Sequence, residues 1–247
     1  MTKVYEALQH AGRELKIHQG IHDEPGPGGA PLTVSRGLDI ENTMMGFYNT
    51  LEALSQKSDA KKSIIQFAGS REGEGTSTIT KEFALFAGSA GGKSVLLLDA
   101  DRGNPRQAYF FGISPNFGLE EVIKRGDSID NALYQVGNLN LKLGLISTDT
   151  TSTPCISNSP EIDELFKLLR TRFDLVLIDS PPITASSDGL AIAYKADGVV
   201  LVVEADRTRW TVAKSATDQI VKHSGNVLGI IFNKRRYHIP DFIYKRL

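Results

Sequence analysis

Cysteine is almost missing from this 247-residue chain, which holds only Cys155. An internal disulfide is thereby excluded, and a lone thiol in a buried or loop position fits a reducing compartment. Long apolar runs are missing too. The longest, such as Gly198 to Val203, suit a strand and fall far short of the roughly 20 residues that a membrane-spanning helix needs. The opening residues MTKVYEALQHAG hold no apolar stretch of signal-peptide length, so a cytoplasmic location is expected. A surplus of either charge is also lacking. Lys and Arg number 28 against 29 Asp and Glu, a net charge of −1 that argues against a nucleic-acid partner.

What is present is patterned. Val4, Ala7, Leu8, Ala11 and Leu15 recur at helical spacing and predict an amphipathic helix over residues 1–17. Residues 18–38, rich in Gly and Pro, read as a flexible linker. Residues 39–247 then form the main domain. Strands are expected over 63–68, 94–99, 139–145, 175–179, 198–204 and 227–233, with helices over 77–88, 161–171, 189–195 and 211–223. Strand–helix alternation with strands apolar almost throughout predicts an α/β fold: a doubly wound, mostly parallel sheet with helices on both faces.

After the first strand comes Ser70-Arg71-Glu72-Gly73-Glu74-Gly75-Thr76-Ser77-Thr78, then a helix. A glycine-rich turn between strand and helix lets successive backbone N–H groups face inward and cradle phosphate oxygens, and the helix N-terminus adds partial positive charge. Gly73, Glu74, Gly75, Thr76, Ser77 and Thr78 are the cradle candidates, with Ser77 placed to hold Mg²⁺. In a P-loop a lysine precedes that serine and reaches the β- and γ-phosphates. Here the position is Thr76, and Ser70 replaces the first glycine. The ordinary alternative for the loop alone is a plain strand–helix turn. Two later strands end in carboxylates, Asp99-Ala100-Asp101 and Asp179-Ser180-Pro181-Pro182, at the edge where open α/β sheets bind ligands. Asp99 and Asp179 are therefore candidate Mg²⁺ ligands beside Ser77.

With these residues in view, the chain resembles the cytoplasmic bacterial tyrosine kinases (BY-kinases) of capsule and exopolysaccharide export. GSREGEGTST, VLLLDADRGNP and FDLVLIDSPPI are similar to that family's Walker A, Walker A′ and Walker B segments, and VLGIIFNKRRYHIPDFIYKRL to its C-terminal end. The resemblance implies a P-loop NTPase-type fold, ATP or ADP with Mg²⁺ as cofactor, and Asp101 as a catalytic residue near the acceptor hydroxyl. It places Asn233 near the adenine. It also implies a membrane-bound polysaccharide co-polymerase as partner, and homo-oligomerisation as in the family's rings.

The departures weigh against full activity. Besides Thr76, the arginine of the family's Asp-x-Asp-x-Arg is displaced to Arg102. The ring-building Glu-x-x-Arg-x-x-Arg corresponds to Glu41, Met44 and Phe47, with both arginines lost. The family's tail tyrosine cluster is absent, Tyr237 and Tyr244 being expected as packing or interface residues rather than phosphoacceptors. Removing one well-placed transition-state donor costs roughly 3–4 kcal/mol, about 10²–10³ in rate, and a lost lysine is at least comparable. Lys81 lies further along the helix and on another face, a poor substitute. Arg71 occupies the place of the signature lysine in MinD/ParA-like ATPases and is the candidate replacement cation, in cis or in trans; its ordinary alternative is an exposed loop arginine. The basic, aromatic tail (Lys234, Arg235, Arg236, Tyr237, Phe242, Tyr244, Lys245, Arg246) suits a membrane-proximal surface or, equally, a solvated face. The expected function is a catalytically impaired BY-kinase-like regulator of exopolysaccharide synthesis at the inner face of the membrane. The alternatives are an active tyrosine autokinase of the same pathway and a MinD/ParA-like ATPase.

Overall fold

The computed structural model describes residues 45–49, 62–90, 92–147 and 160–234. The expected N-terminal helix, the linker, Cys155, and the tail with Tyr237 and Tyr244 lie outside these residues. Among the described residues, seven strands form one sheet: β1 (Ser63–Gly69), β2 (Val95–Asp99), β3 (Leu133–Gln135), β4 (Leu141–Leu145), β5 (Leu175–Ser180), β6 (Gly198–Glu204) and β7 (Val227–Asn233). Their spatial order is β3-β4-β2-β5-β1-β6-β7, and only the β3–β4 pair is antiparallel. The helices are α1 (Thr76–Ser89), α2 (Gln107–Phe111), α3 (Leu119–Arg125), α4 (Pro160–Arg172), α5 (Ser187–Lys195) and α6 (Trp210–Lys222). Residues 45–49 are also helical.

Alternation along the strands separates two cores. Ile65, Phe67, Leu97, Leu177 and Val202 pack under α1. Ile64, Leu96, Leu98, Val176 and Ile178 face α3 and α4, and Ala68, Val199, Leu201 and Val203 face α5 and α6. Both sheet faces are thus covered, which is why the central strands tolerate no polar alternation. Gln66 is the exception. It is fully buried in β1, and its amide donates to Ser180 Oγ (2.7 Å) and the Gly189 carbonyl (2.8 Å), fixing the turn after β5.

The six expected strands and four expected helices are all present. Elements β3, α2 and α3 were not foreseen. On the α1 face, Phe47 stands edge-on to Phe83 (centroids 4.9 Å apart) and to Phe67 (6.0 Å). The residue that occupies a ring-building arginine position in the resemblance is therefore part of the core packing.

Candidate functional site

The turn after β1 has the backbone that a phosphate cradle would need, because two glycines adopt left-handed conformation: φ is +78° at Gly73 and +87° at Gly75. Gly75 is also a close approach, since a Cβ there would stand 2.2 Å from Asn233 Nδ2. Helix α1 begins at Thr76 with no side-chain cap, leaving its first N–H groups directed at the loop. The loop lines one wall of a pocket of about 1020 Å³. Asp101, Arg102, Arg106, Tyr109 and Phe110 line another part, with Ser180–Pro182 and Ser186 completing it.

Two candidates do something other than the sequence suggests. The Glu74 side chain is buried and turned into the protein, where its carboxylate accepts from Ser70 Oγ (2.9 and 3.0 Å), from Arg71 N (2.8 Å) and from Thr208 Oγ1. Only the Glu74 backbone remains for phosphate. Asn233 is likewise buried and is absent from the pocket lining. Its amide donates to the Glu74 carbonyl (2.8 Å) and its Oδ1 accepts from Lys234 N (2.8 Å), so it braces the back of the cradle. The place near an adenine that the resemblance implies for Asn233 would have to use the second N–H and second lone pair of this amide, since one of each is engaged by the loop and by Lys234.

Beneath the cradle, parallel pairing of β2 and β5 sets Asp99 and Asp179 directly in register. Both are nearly inaccessible, at 2% and 1% exposure, so they form the floor of the site rather than its lining. Asp99 accepts three backbone N–H groups, from Arg106 and Gln107 at 2.9 Å each and from Asp101 at 3.2 Å. It thereby caps α2 and shapes the turn after β2. Burial lifts its carboxyl to about 6 against those hydrogen bonds. Asp179 is raised further, to about 8, by burial first and then by the neighbouring Asp99 charge; the Gln107 amide and the Ser77 hydroxyl oppose the rise. Its Oδ1 is buried without a hydrogen-bond partner among the described residues. An orphaned carboxylate oxygen beside a serine hydroxyl is a donor set that fits a hard cation such as Mg²⁺. Among the described residues no group of three or more His, Cys, Asp or Glu forms a metal cage. A cation here would accordingly depend on phosphate oxygens for the rest of its shell.

Asp101 is half-exposed at the pocket. Burial raises its carboxyl above the ordinary range, Glu72 adds to the rise, and Arg106 opposes it. Of the cations, Arg102 is buried in an ion pair with Glu120, which also holds Lys124 at 2.7 Å. It is structural and does not replace the family's arginine. Arg106 lines the pocket with its Nε on Asn104 Oδ1 (2.9 Å). Lys234 also lines it, its Nζ donating to the Gly73 carbonyl at 2.6 Å. The Arg71 guanidinium lies at the pocket with no hydrogen-bond or ion-pair partner among the described residues. Lys81 instead pairs with Glu82 (3.2 Å) and sits 4.8 Å above the Phe110 ring, consistent with its dismissal as a substitute.

Sequence reasoning missed Gln107, Arg106 and Lys234 as site residues. No spacing pattern marks the first two; Lys234 was read only as part of the tail, although it directly follows Asn233.

Comparisons with known proteins agree with this architecture. No family model matches the chain. The tyrosine-protein kinase CpsD of Streptococcus agalactiae is 27% identical over 189 residues, 76% of this chain and 82% of that protein. The crystal structure of the VpsO kinase domain superposes with a TM-score of 0.66 at 25% identity, covering 80% of this chain and 97% of that one. The chimerical protein CapA2B2 gives a TM-score of 0.68 at 21% identity, covering 79% and 85%. A ParA family ATPase from Chlorobium tepidum shares the fold at a TM-score of 0.54 and 17% identity, covering 76% and 80%. By sequence this chain is similar to bacterial tyrosine-protein kinases, and its fold is shared with a kinase domain of that kind and with a ParA family ATPase.

Proposed function

We propose that the protein is a BY-kinase-like regulator of capsule or exopolysaccharide synthesis, with phosphoryl transfer impaired at Thr76. The crevice at the ends of β1, β2 and β5 would take ATP or ADP weakly, and Ser77 and Asp179 would be the residues that hold its Mg²⁺. The backbone of Gly73–Thr78 holds the phosphate oxygens, Asp99 anchors the turn that carries Asp101, and Asp101 faces the acceptor. A bound Mg²⁺ supplies neutralisation of charge on the transferred group.

One observation carries the impairment: cradle and carboxylates are in place, yet threonine stands where the chain should deliver a cation into the loop. The nearby cations belong to other segments or positions: Lys234 rests on the Gly73 carbonyl, Arg102 is tied to Glu120, Arg106 bonds Asn104, and Arg71 lines the pocket from the second position of the loop. A membrane-bound polysaccharide co-polymerase is the proposed partner, recruiting the chain from the cytoplasm to the inner membrane face. Among the described residues no helix is long and apolar enough to cross a membrane, so recruitment rests on the partner and the basic tail. The unpartnered Arg71 favours a second reading, a working autokinase whose missing charge comes from that residue.

The test compares Mg²⁺-dependent ATP turnover and tyrosine phosphorylation by the native chain, Thr76→Lys and Arg71→Ala. A silent native protein and a gain of about 10²-fold or more in Thr76→Lys are expected. Ready turnover by the native protein, abolished in Arg71→Ala, would replace the first reading with the second.

A further inference from the structure

The three elements of the proposed Mg²⁺–phosphate centre come from distant parts of the sequence, and one residue, through its backbone and its side chain, touches all of them. Gln107 is fully buried at the first turn of α2. Its backbone N–H donates to Asp99 Oδ2 at 2.9 Å. Its side-chain Nε2 donates both to Asp179 Oδ2 at 2.7 Å and to the Ser77 carbonyl at 2.9 Å. The Walker A helix, the end of β2 and the end of β5 are thereby joined through a single residue.

The orientation follows from chemistry. Both side-chain contacts are acceptors, so the amide nitrogen must face them and Oε1 must point away. That Oε1 is buried with no partner among the described residues, as is Asp179 Oδ1. Buried polar atoms are nearly always satisfied, and each exception calls for an explanation. Two orphaned oxygens on hydrogen-bonded neighbours mark where a water or a cation would supply the partner that the described residues do not. The amide also does what a carboxylate could not. It holds one oxygen of Asp179 by donation, so the other oxygen remains turned away, and it adds no charge beside two carboxylates.

We infer that Gln107 is a positioning residue for the divalent cation: it fixes Asp179 and the Ser77 turn so that Asp179 Oδ1 and the Ser77 hydroxyl present to one ion. The inference rests on the reading of the crevice as a Mg²⁺–nucleotide site and adds to it a residue outside the motif positions. Outer partners that orient ligating side chains typically contribute 10–100-fold to metal affinity, which sets the expected size of the effect.

The experiment uses the full chain and titrates ADP by calorimetry with and without Mg²⁺, in native protein, Gln107→Met and Gln107→Glu. Metal-free ADP affinity should change much less than the Mg²⁺ gain does, because Gln107 bonds the Ser77 carbonyl and none of the loop N–H groups that would face phosphate. The gain in affinity on adding Mg²⁺ should fall about tenfold or more in both variants. Mn²⁺ affinity in the presence of ADP, read by electron paramagnetic resonance, should fall in parallel. A residue that only packs α2 would lower the melting temperature and weaken both titrations alike, or neither, and either result overturns the inference. If the variants do not fold, the native protein still decides. The Gln107 side-chain amide signal in the NMR spectrum should shift on Mg²⁺–ADP and not on ADP alone, and equal shifts refute the role. A native chain that binds no ADP under any condition removes the nucleotide reading itself and this inference with it. That result is separable from a native chain whose Mg²⁺ gain survives in both variants.

Discussion

At the scale of single residues, Asp99 and Asp179 look equivalent in sequence, each ending an apolar strand, yet they work differently. Asp99 is an anchor whose oxygens accept three backbone N–H groups. Asp179 keeps one oxygen free, and its carboxyl is raised from 3.8 to about 8. A group raised in the folded state binds protons more tightly there than in the unfolded chain. Its stabilising contribution is therefore full below about pH 4 and is lost as the pH climbs through 8. The ligand-free protein should lose stability across this window, and Asp179→Asn should recover part of it. At pH 8 the variant should be more stable by about 2 kcal/mol, a rise of roughly 4–8 °C in melting temperature, with the difference closing near pH 4. Asp99→Asn should do the opposite at neutral pH. Its amide nitrogen cannot accept, so at least one N–H loses its acceptor at a cost of about 1–3 kcal/mol. Thermal melts from pH 4 to 8 decide both, and an Asp179→Asn curve parallel to that of the native chain would refute the assignment of burden to Asp179.

At the scale of elements, the phosphate loop is held from behind by β7. Asn233 and Lys234 bond the carbonyls of Glu74 and Gly73, and the side chain of Asn233 occupies the space a Cβ at Gly75 would need. Gly73→Ala should therefore cost only the left-handed backbone strain, about 1–2 kcal/mol, since nothing lies near its Cβ. Gly75→Ala should cost clearly more, because it adds the clash with Asn233. Removing the obstacle should relieve it: in a urea-unfolding cycle, Gly75→Ala with Asn233→Ala should be less destabilising than the sum of the two changes, by 0.5 kcal/mol or more. Strict additivity would mean that Asn233 is not the contact that makes residue 75 a glycine. This arrangement also marks the limit of what the chain announces. The six long strands were legible because both sheet faces are covered and their apolar runs are unbroken. The cradle glycines and the strand-end carboxylates were legible because phosphate and metal chemistry constrain spacing. Helix α2 was not, since five residues capped by the carboxylate of Asp99 carry no periodicity of their own. Gln107, Arg106 and the inward turn of Glu74 depend on contacts between segments far apart in sequence, which no local pattern encodes. For Asn233 the resemblance implies a place near the adenine, while its contacts with Glu74 and Lys234, which no local pattern encodes, make it a brace of the loop.

At the scale of the whole molecule, the question is whether this chain can assemble as the rings that the resemblance implies. The helix corresponding to the ring-building segment carries Phe47 where an arginine would reach a neighbour, and that ring is packed against Phe67 and Phe83 rather than displayed. An aromatic side chain in such a cluster contributes its buried area and about 0.5–1.5 kcal/mol from ring geometry. Phe47 is half-buried at the margin of that cluster, so a guanidinium there would reach for solvent and give up the ring contacts with Phe67 and Phe83. Restoring the family's residue should therefore not restore the family's assembly. Phe47→Arg is expected to lower stability by about 2–4 kcal/mol, in the range of large-to-small changes at packed aromatic sites. Light scattering should show no closed ring for either the native chain or the variant, at concentrations where a stable ring would dominate. A ring formed by the native chain would mean that another surface has taken over assembly. A stable, ring-forming Phe47→Arg would mean that this helix can turn outward and that its present packing is dispensable.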